Sequence, residues 1–251
     1  MSPVRRGLVL LVVLASAGAW AYILPAFSIL RRMVERRADL QLSTLKVGGS
    51  LAFFGEAAKE AGAALGVATD RSEVSVDGAV YLKVPGRCRF EAASVEAGKK
   101  SAAAQAASKR RSEGAEIRAL AVAVEQLCPL LALRSTNEAD ARAAIERHLG
   151  ALKADTKKTS LARFGGRVAY VLGGRDDPGQ LWVYKDSFLP ARIRLTDETG
   201  VAWDVRLLDY SSPATGEWFP RVIEIFKNGA PALRFTGLDG NVKGKLDDAL
   251  F

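Results

Sequence analysis

The sequence predicts an α+β fold: an open, unclosed antiparallel β-barrel with a helical lid. Three observations predict it. Between about residues 179 and 238, five short strands follow one another, each bounded by turn residues. Helical periodicity interrupts the strand rhythm in the middle of the chain, over residues 92–152. An amphipathic helix precedes the first strand. Strands wrapped into an open barrel leave an apolar trough, and inserted helices are the natural cover for it.

Residues 26–42 read as the first helix, with Phe27, Leu30, Val34 and Ala38 on one stripe and Arg31, Arg32, Glu35 and Arg36 elsewhere. Residues 43–54 read as a strand with Leu45, Val47, Leu51 and Phe53 on one face. Residues 56–65 are Ala-rich and suit a short helix or a long loop. Residues 73–84 form another strand, with Val74, Val76, Val80 and Leu82 aligned, and Pro85-Gly86 makes the turn. In the strand that follows, Cys88 and Phe90 face in while Arg87 and Arg89 face out.

Residues 117–133 read as a helix with Leu120, Val124 and Leu127 at helical spacing, ended or kinked by Pro129. Residues 137–152 read as a second helix, N-capped by Asn137, with Ala141, Ile145, His148 and Leu152 as its inner stripe. Residues 167–172 resume strand structure. The strands 180–185, 188–195, 201–209, 217–227 and 232–238 complete a count of about eight or nine. Asn228-Gly229 is a strong hairpin signal between the last two.

The 251-residue chain is 49% hydrophobic and 25% charged, which is globular composition long enough for one sizeable domain. Net charge is +8, and Arg5 and Arg6 are the only charges in residues 1–30, so +6 falls on the rest. That bias suits anionic head groups or an acidic partner. Nucleic acid is not indicated, because the aromatic-plus-basic surface of an RNA-binding sheet is not evident. The basic run 99–111 reads as a solvated loop or as a docking surface for acidic groups.

Arg5-Arg6 precede an apolar run over residues 7–30. As one helix of about 36 Å it would span a bilayer core of about 30 Å, as a signal anchor. Residues 8–18 also make a signal-peptide h-region, with Ala19-Trp20-Ala21 as a cleavage site, giving a signal peptide over residues 1–21 and a domain over 26–251. Either reading exports residues 31–251. In an oxidising compartment Cys88 and Cys128 are candidates for one disulfide; two buried thiols are the alternative.

Chemistry-bearing motifs are lacking. His148 is the single histidine, no CxxC is present, and no metal or cofactor is expected. Asp176-Asp177 and Asp247-Asp248 are adjacent carboxylates that do not share a face. There is no GxSxG, P-loop or HExxH. The chain does not read as an enzyme, and an exported hydrolase lacks a site.

Four segments resemble the LolA-like family, within the LolA/LolB/RseB superfamily of periplasmic lipoprotein carriers. They are Ile29-Leu30-Arg31-Arg32-Met33, the run Leu45-Lys46-Val47-Gly48-Gly49-Ser50-Leu51, DGAVYLKVPGRCRF over residues 77–90, and QLWVYKDSFLPARIRL over residues 180–195. The third looks like the family's strand–proline–turn–strand element and the fourth like its later Lys-Asp hairpin. The resemblance implies an unclosed barrel, lidded by helices, around a cavity for acyl chains. It implies a periplasmic, monomeric carrier of lipoprotein or lipid, with an inner-membrane exporter and an outer-membrane acceptor as partners. The family's best-known carriers place an arginine just before the strand-ending proline; here Val84 stands there.

Candidate lipid-contacting positions are Val47, Leu51, Phe53, Val80, Leu82, Phe90, Val205, Leu207, Val222 and Phe235. Each either lines a cavity or packs as ordinary core. Two functions fit this framework. One is a carrier with a hydrophobic pocket. The other is an RseB-like, membrane-associated envelope regulator that uses the same pocket, a version an uncleaved anchor would favour.

Overall fold

The structure is a computed structural model that describes residues 23–67, 70–96, 99–108, 117–133 and 137–251. The signal features over residues 1–21 lie outside the described residues. Among the described residues the α-helices are α1 (Ala26–Asp39), α2 (Gly55–Leu65), α3 (Arg118–Leu131) and α4 (Glu138–Ala151). The strands are β1 (Thr44–Phe54), β2 (Glu73–Lys83), β3 (Arg87–Glu96), β4 (Lys99–Ala107), β5 (Thr159–Phe164), β6 (Arg167–Leu172), β7 (Gln180–Tyr184), β8 (Pro190–Thr196), β9 (Ala202–Leu208), β10 (Val222–Lys227) and β11 (Ala230–Asn241).

All eleven strands join one antiparallel sheet in the order β4-β3-β2-β1-β11-β10-β9-β8-β7-β6-β5. β4 and β5 are its two edges and do not pair with each other, so the barrel is unclosed. The sheet closes on itself in sequence at β1 and β11, which pair although they lie at opposite ends of the chain.

The register explains where the core sits. Leu172, Leu181, Ile193, Val205, Ile225, Leu233, Phe53 and Val74 stand opposite one another in a single row across eight strands. None is more than 5% exposed. Since side chains alternate along a strand, this row puts one continuous apolar face on the sheet. The β10–β11 hairpin turns at Asn228 (φ 50°) and Gly229 (φ 82°), both left-handed, as a two-residue turn of that hand requires. Beside the β-bulge at Gly48/Gly49, a Cβ on Gly49 would lie 2.2 Å from the carbonyl oxygen of Thr236, so only glycine lets β1 and β11 approach there.

The structure departs from the sequence reading in four places. Residues 99–107 are strand β4 rather than a loop, and residues 92–96 extend β3. Alanine is a poor strand former in isolation, so this Ala-rich run gave no strand signal; pairing with β3 overrides that preference. β5 carries no strand signal in the sequence, because Thr-Ser-Leu-Ala-Arg-Phe lacks clean alternation. With these two, the described residues hold eleven strands rather than eight or nine. Finally, α1 is rotated from its expected stripe. It buries Ala26, Ile29, Leu30, Met33, Val34 and Arg37, while Phe27 is 52% exposed.

The helices cover the apolar face. α2 packs on β1, β2, β4 and β11, α3 on β3, β4 and β11, and α1 against α4. Asn137 caps α4 as expected, its side-chain oxygen accepting from the backbone N–H groups of Ala139 (3.0 Å) and Asp140 (3.3 Å).

Candidate functional site

The candidate site is the trough on the sheet's apolar face, and it is occupied by a helix. Eleven of the fourteen residues of α3 are buried, from Ala119 through Leu131. Glu125 is exposed and Arg118 and Pro129 are half-buried, so α3 shows solvent only a narrow outer line. A helix apolar on nearly every side is one enclosed by protein on nearly every side. α3 therefore fills the trough as well as covering it.

The two ends of α3 are held differently. At its C-terminal end, Cys128 is bonded to Cys88 on β3, with a Cα–Cα distance of 5.6 Å. The N–H of Gly86 in the β2–β3 turn donates to the carbonyl oxygen of Ala132 (2.8 Å). The guanidinium of Arg37 donates to the carbonyl oxygens of Leu131 and, at 2.9 Å, Trp218. Those carbonyls have no partner within their own helix or strand, so Arg37 joins α1, α3 and the β9–β10 connection at one point. Arg36 and Glu217 form an ion pair alongside. At the N-terminal end of α3, the N–H of Arg118 donates to the Glu60 carboxylate of α2 (3.0 Å). There, too, Lys227 on β10 pairs with Glu56 at the start of α2 (2.5 Å).

Burial is the main influence on the titratable groups of the interior. It lowers the Arg37 guanidinium to about 10, which still leaves it cationic at neutral pH. It raises the Tyr210 phenol, whose hydroxyl donates to the carbonyl oxygen of Pro190 (3.0 Å). It lowers His148 to about 4, so that histidine is neutral, and its Nε2 has no hydrogen-bond partner. Arg37 and Tyr210 act on each other electrostatically, whereas burial alone shifts His148. Among the described residues there is no group of three or more His, Cys, Asp or Glu that could hold a metal ion.

Of the ten candidate lipid-contacting positions, nine belong to the apolar cluster that α3 packs into: Val47, Leu51, Phe53, Val80, Leu82, Phe90, Val205, Leu207 and Phe235. Val222 does not. It pairs with Leu208 and Thr236, on the face opposite Val205 and Leu207, and Ile223 and Ile225 take the inward positions. The strand 217–227 was read one residue out of phase, because both residues of Val222-Ile223 are apolar and the pattern does not separate them. Trp203 faces inward with Val205, whereas Trp182 lies on the outer face, where Arg192 stacks over it at 5.0 Å.

Among the clefts of the described residues are two that none of the ten lines. One, of about 750 Å³, lies between the start of α1 and the end of α4, with Ile23, Phe27, Glu146 and Lys157 among its walls. The other, of about 440 Å³, lies at the N-terminal end of α3 and is lined by Arg118, Asp197, Glu198, Thr199, Val201, Trp203 and Lys227. Arg37 was missed from sequence. The available signal was that it continues the apolar stripe of α1, four residues after Met33.

No protein-family profile matches the chain, and no curated protein matches it. Among solved structures it is similar to a LolA superfamily protein from Nitrosomonas europaea, at 15% identity and a TM-score of 0.47, covering 91% of this chain and 97% of that one. It is similar to a DUF1329 family protein from Desulfovibrio piger, at 11% identity and a TM-score of 0.43, covering 90% and 96%. It is also similar to MucB, at 16% identity and a TM-score of 0.30, covering 89% of this chain and 61% of MucB. Two further similar structures, at 14% identity and a TM-score of 0.27, are complexes of MucB with MucA, one of them from Pseudomonas aeruginosa. Among the described residues no helix is long and apolar enough to cross a membrane.

Proposed function

We propose that the chain is an exported, periplasmic carrier that holds the acyl chains of lipoproteins or lipids in its trough and delivers them toward the outer membrane. The observation that supports this reading is α3 itself. The trough already encloses an apolar rod, eleven of whose residues are buried, and that rod is a separate helix lying on the sheet. A surface that takes one apolar rod offers the same burial to another of similar girth.

The energetics favour exchange over permanent capture. Burying an acyl chain contributes about 0.8 kcal/mol per CH₂. Displacing α3 costs the burial of its own apolar side chains, a term of the same kind. Net binding is then small against either gross term, and the cargo is released when α3 returns. In this reading the protein acts as a monomer, receives cargo from an inner-membrane exporter, passes it to an outer-membrane acceptor, and does no covalent chemistry. Residues 1–21 serve as the export signal, or residues 7–30 as an anchor. Ala26, Ile29 and Leu30 pack in the core as part of α1, which leaves a shorter apolar stretch available to a membrane.

The test is native mass spectrometry with lipid extraction on the full chain recovered from a periplasm. Bound phospholipid or acylated peptide supports carriage. A clean unliganded mass, together with failure to keep a triacylated lipoprotein in solution, contradicts it. Co-purification with a membrane protein and without lipid would favour the RseB-like regulator instead.

A further inference from the structure

The unequal ties on α3 say where the trough opens. Its C-terminal end is fixed by a covalent bond to β3 and by hydrogen bonds from Gly86 and Arg37. Two polar contacts mark the other end among the described residues: the Arg118 N–H to Glu60, and Lys227 to Glu56. Both are partly solvated, and contacts of that kind are worth little. Any displacement of α3 therefore begins at Arg118 and pivots about Cys128.

The cleft of about 440 Å³ lies at that loosely held end. Its floor is Trp203, which is 3% exposed and stands on the same face of β9 as Val205 and Leu207. The floor of the cleft is thus the first residue of the trough. The indole is fixed from behind: its N–H donates to Asp197 (3.0 Å), and that carboxylate also accepts from the N–H of Thr199 (2.9 Å), the hydroxyl of Thr199 (2.6 Å) and the N–H of Val201 (3.1 Å). Asp197 is committed to its own turn, and these hydrogen bonds help hold its carboxyl near 2. The other charges lining the cleft are Arg118, Lys227 and Glu198, and they carry both signs.

We propose that this cleft is the entry port and head-group subsite of the trough, taking an acyl amphiphile whose phosphate-bearing head is zwitterionic. The proposal rests on the trough reading above and adds an end, a gate and a head class to it. The phosphate is met by Arg118 and Lys227 and the ammonium by Glu198, while the chain passes over Trp203 beneath the lifted end of α3. Entry requires Lys227 to leave Glu56 and the backbone N–H of Arg118 to leave Glu60; the arriving phosphate replaces the carboxylate lost by Lys227 and adds to the Arg118 guanidinium, which pairs with Glu125 on its own helix (3.1 Å).

The test uses the intact protein and cis-parinaric acid, whose fluorescence rises in an apolar site, followed by stopped flow. Glu56→Gln and Glu60→Gln are expected to speed uptake at least threefold. Arg36→Gln, which removes an ion pair at the fixed end, is expected to leave the rate within twofold. A single-chain lysophosphatidylethanolamine is expected to displace the probe at least fivefold more effectively than lysophosphatidylglycerol of equal chain length, and Glu198→Gln to remove that preference. Uptake that ignores Glu56 and Glu60, or an equal or better competitor in the anionic lipid, overturns the proposal and leaves the trough reading standing. If neither wild type nor any variant takes up the probe, the trough reading fails and the port fails with it.

Discussion

Arg37 of α1 donates a hydrogen bond to the backbone carbonyl of Leu131, the last residue of α3 and 94 positions away in the chain. It does so from a fully buried position, and among the described residues no carboxylate pairs with it. A buried cation without a counter-ion is held by what it bonds, here the two carbonyls of Leu131 and Trp218. The residue fastens the start of the chain to the helix that fills the trough.

Arg37→Ala is expected to destabilise the fold by about 2–4 kcal/mol, since it orphans two buried carbonyls and removes the packing of a long side chain. Arg37→Lys is expected to recover only part of that, because an ammonium lacks the planar fork that reaches both oxygens. Urea unfolding of the three proteins checks the order. Equal midpoints would mean that the bonds contribute nothing net.

The Cys88–Cys128 bond closes a loop of 40 residues. On the chain-entropy account, removing it costs roughly 3–4 kcal/mol. The Cys88→Ala/Cys128→Ala double variant should lose about that much in thermal or urea unfolding. The intact mass of the wild-type chain should rise by two hydrogens on reduction. No mass change on reduction would remove the bridge from the account.

His148 supplies a pH dependence with a definite sign. Burial lowers its folded-state pKa to about 4, below the ordinary 6.5. Between those values the unfolded chain binds a proton that the folded chain does not. The stability tied to this group is therefore complete above about pH 6.5 and is lost as pH falls toward 4, by an amount on the order of 3 kcal/mol. His148→Phe should flatten the stability profile over that window. An unchanged slope would show that the imidazole meets water more freely than its burial indicates.

Gly49→Ala is expected to destabilise by roughly 1–3 kcal/mol, because the new methyl would sit 2.2 Å from the Thr236 carbonyl oxygen in the one strand pair that joins the two ends of the chain. Gly229→Ala, at an exposed turn with open space around it, is strained only by its φ of 82° and should cost less. Comparing their melting temperatures separates close approach from backbone conformation.

What was legible in the sequence was whatever carries its own period. β1, β2 and the strands β7, β8, β9 and β11 alternate and end at turn residues, so each was visible within a few positions, whereas β10 begins at Val222 rather than at Glu217. Asn137 and Asn228-Gly229 act locally and were equally plain. β4 and β5 were not visible, because their strand state comes from pairing with β3 and β6 and not from their own side chains. At the site, nine candidate positions belong to the apolar cluster, and Val222 faces the other way, where two apolar residues adjoin. That α3 would fill the trough was not legible. Its hydrophobic spacing announced a buried helix, but the residues that enclose it come from β3, β4, β11, α2 and α4, scattered over the chain.

The central claim is that α3 and an acyl chain compete for one trough. Amide hydrogen exchange over residues 118–131, with and without a saturating fatty acid or lysophospholipid, tests it most directly. The account predicts that ligand speeds exchange across α3, most at Arg118 and least near Cys128, while the inward strands β1, β9 and β11 stay protected. Ligand binding that leaves α3 as protected as before would place the cargo elsewhere and contradict the account.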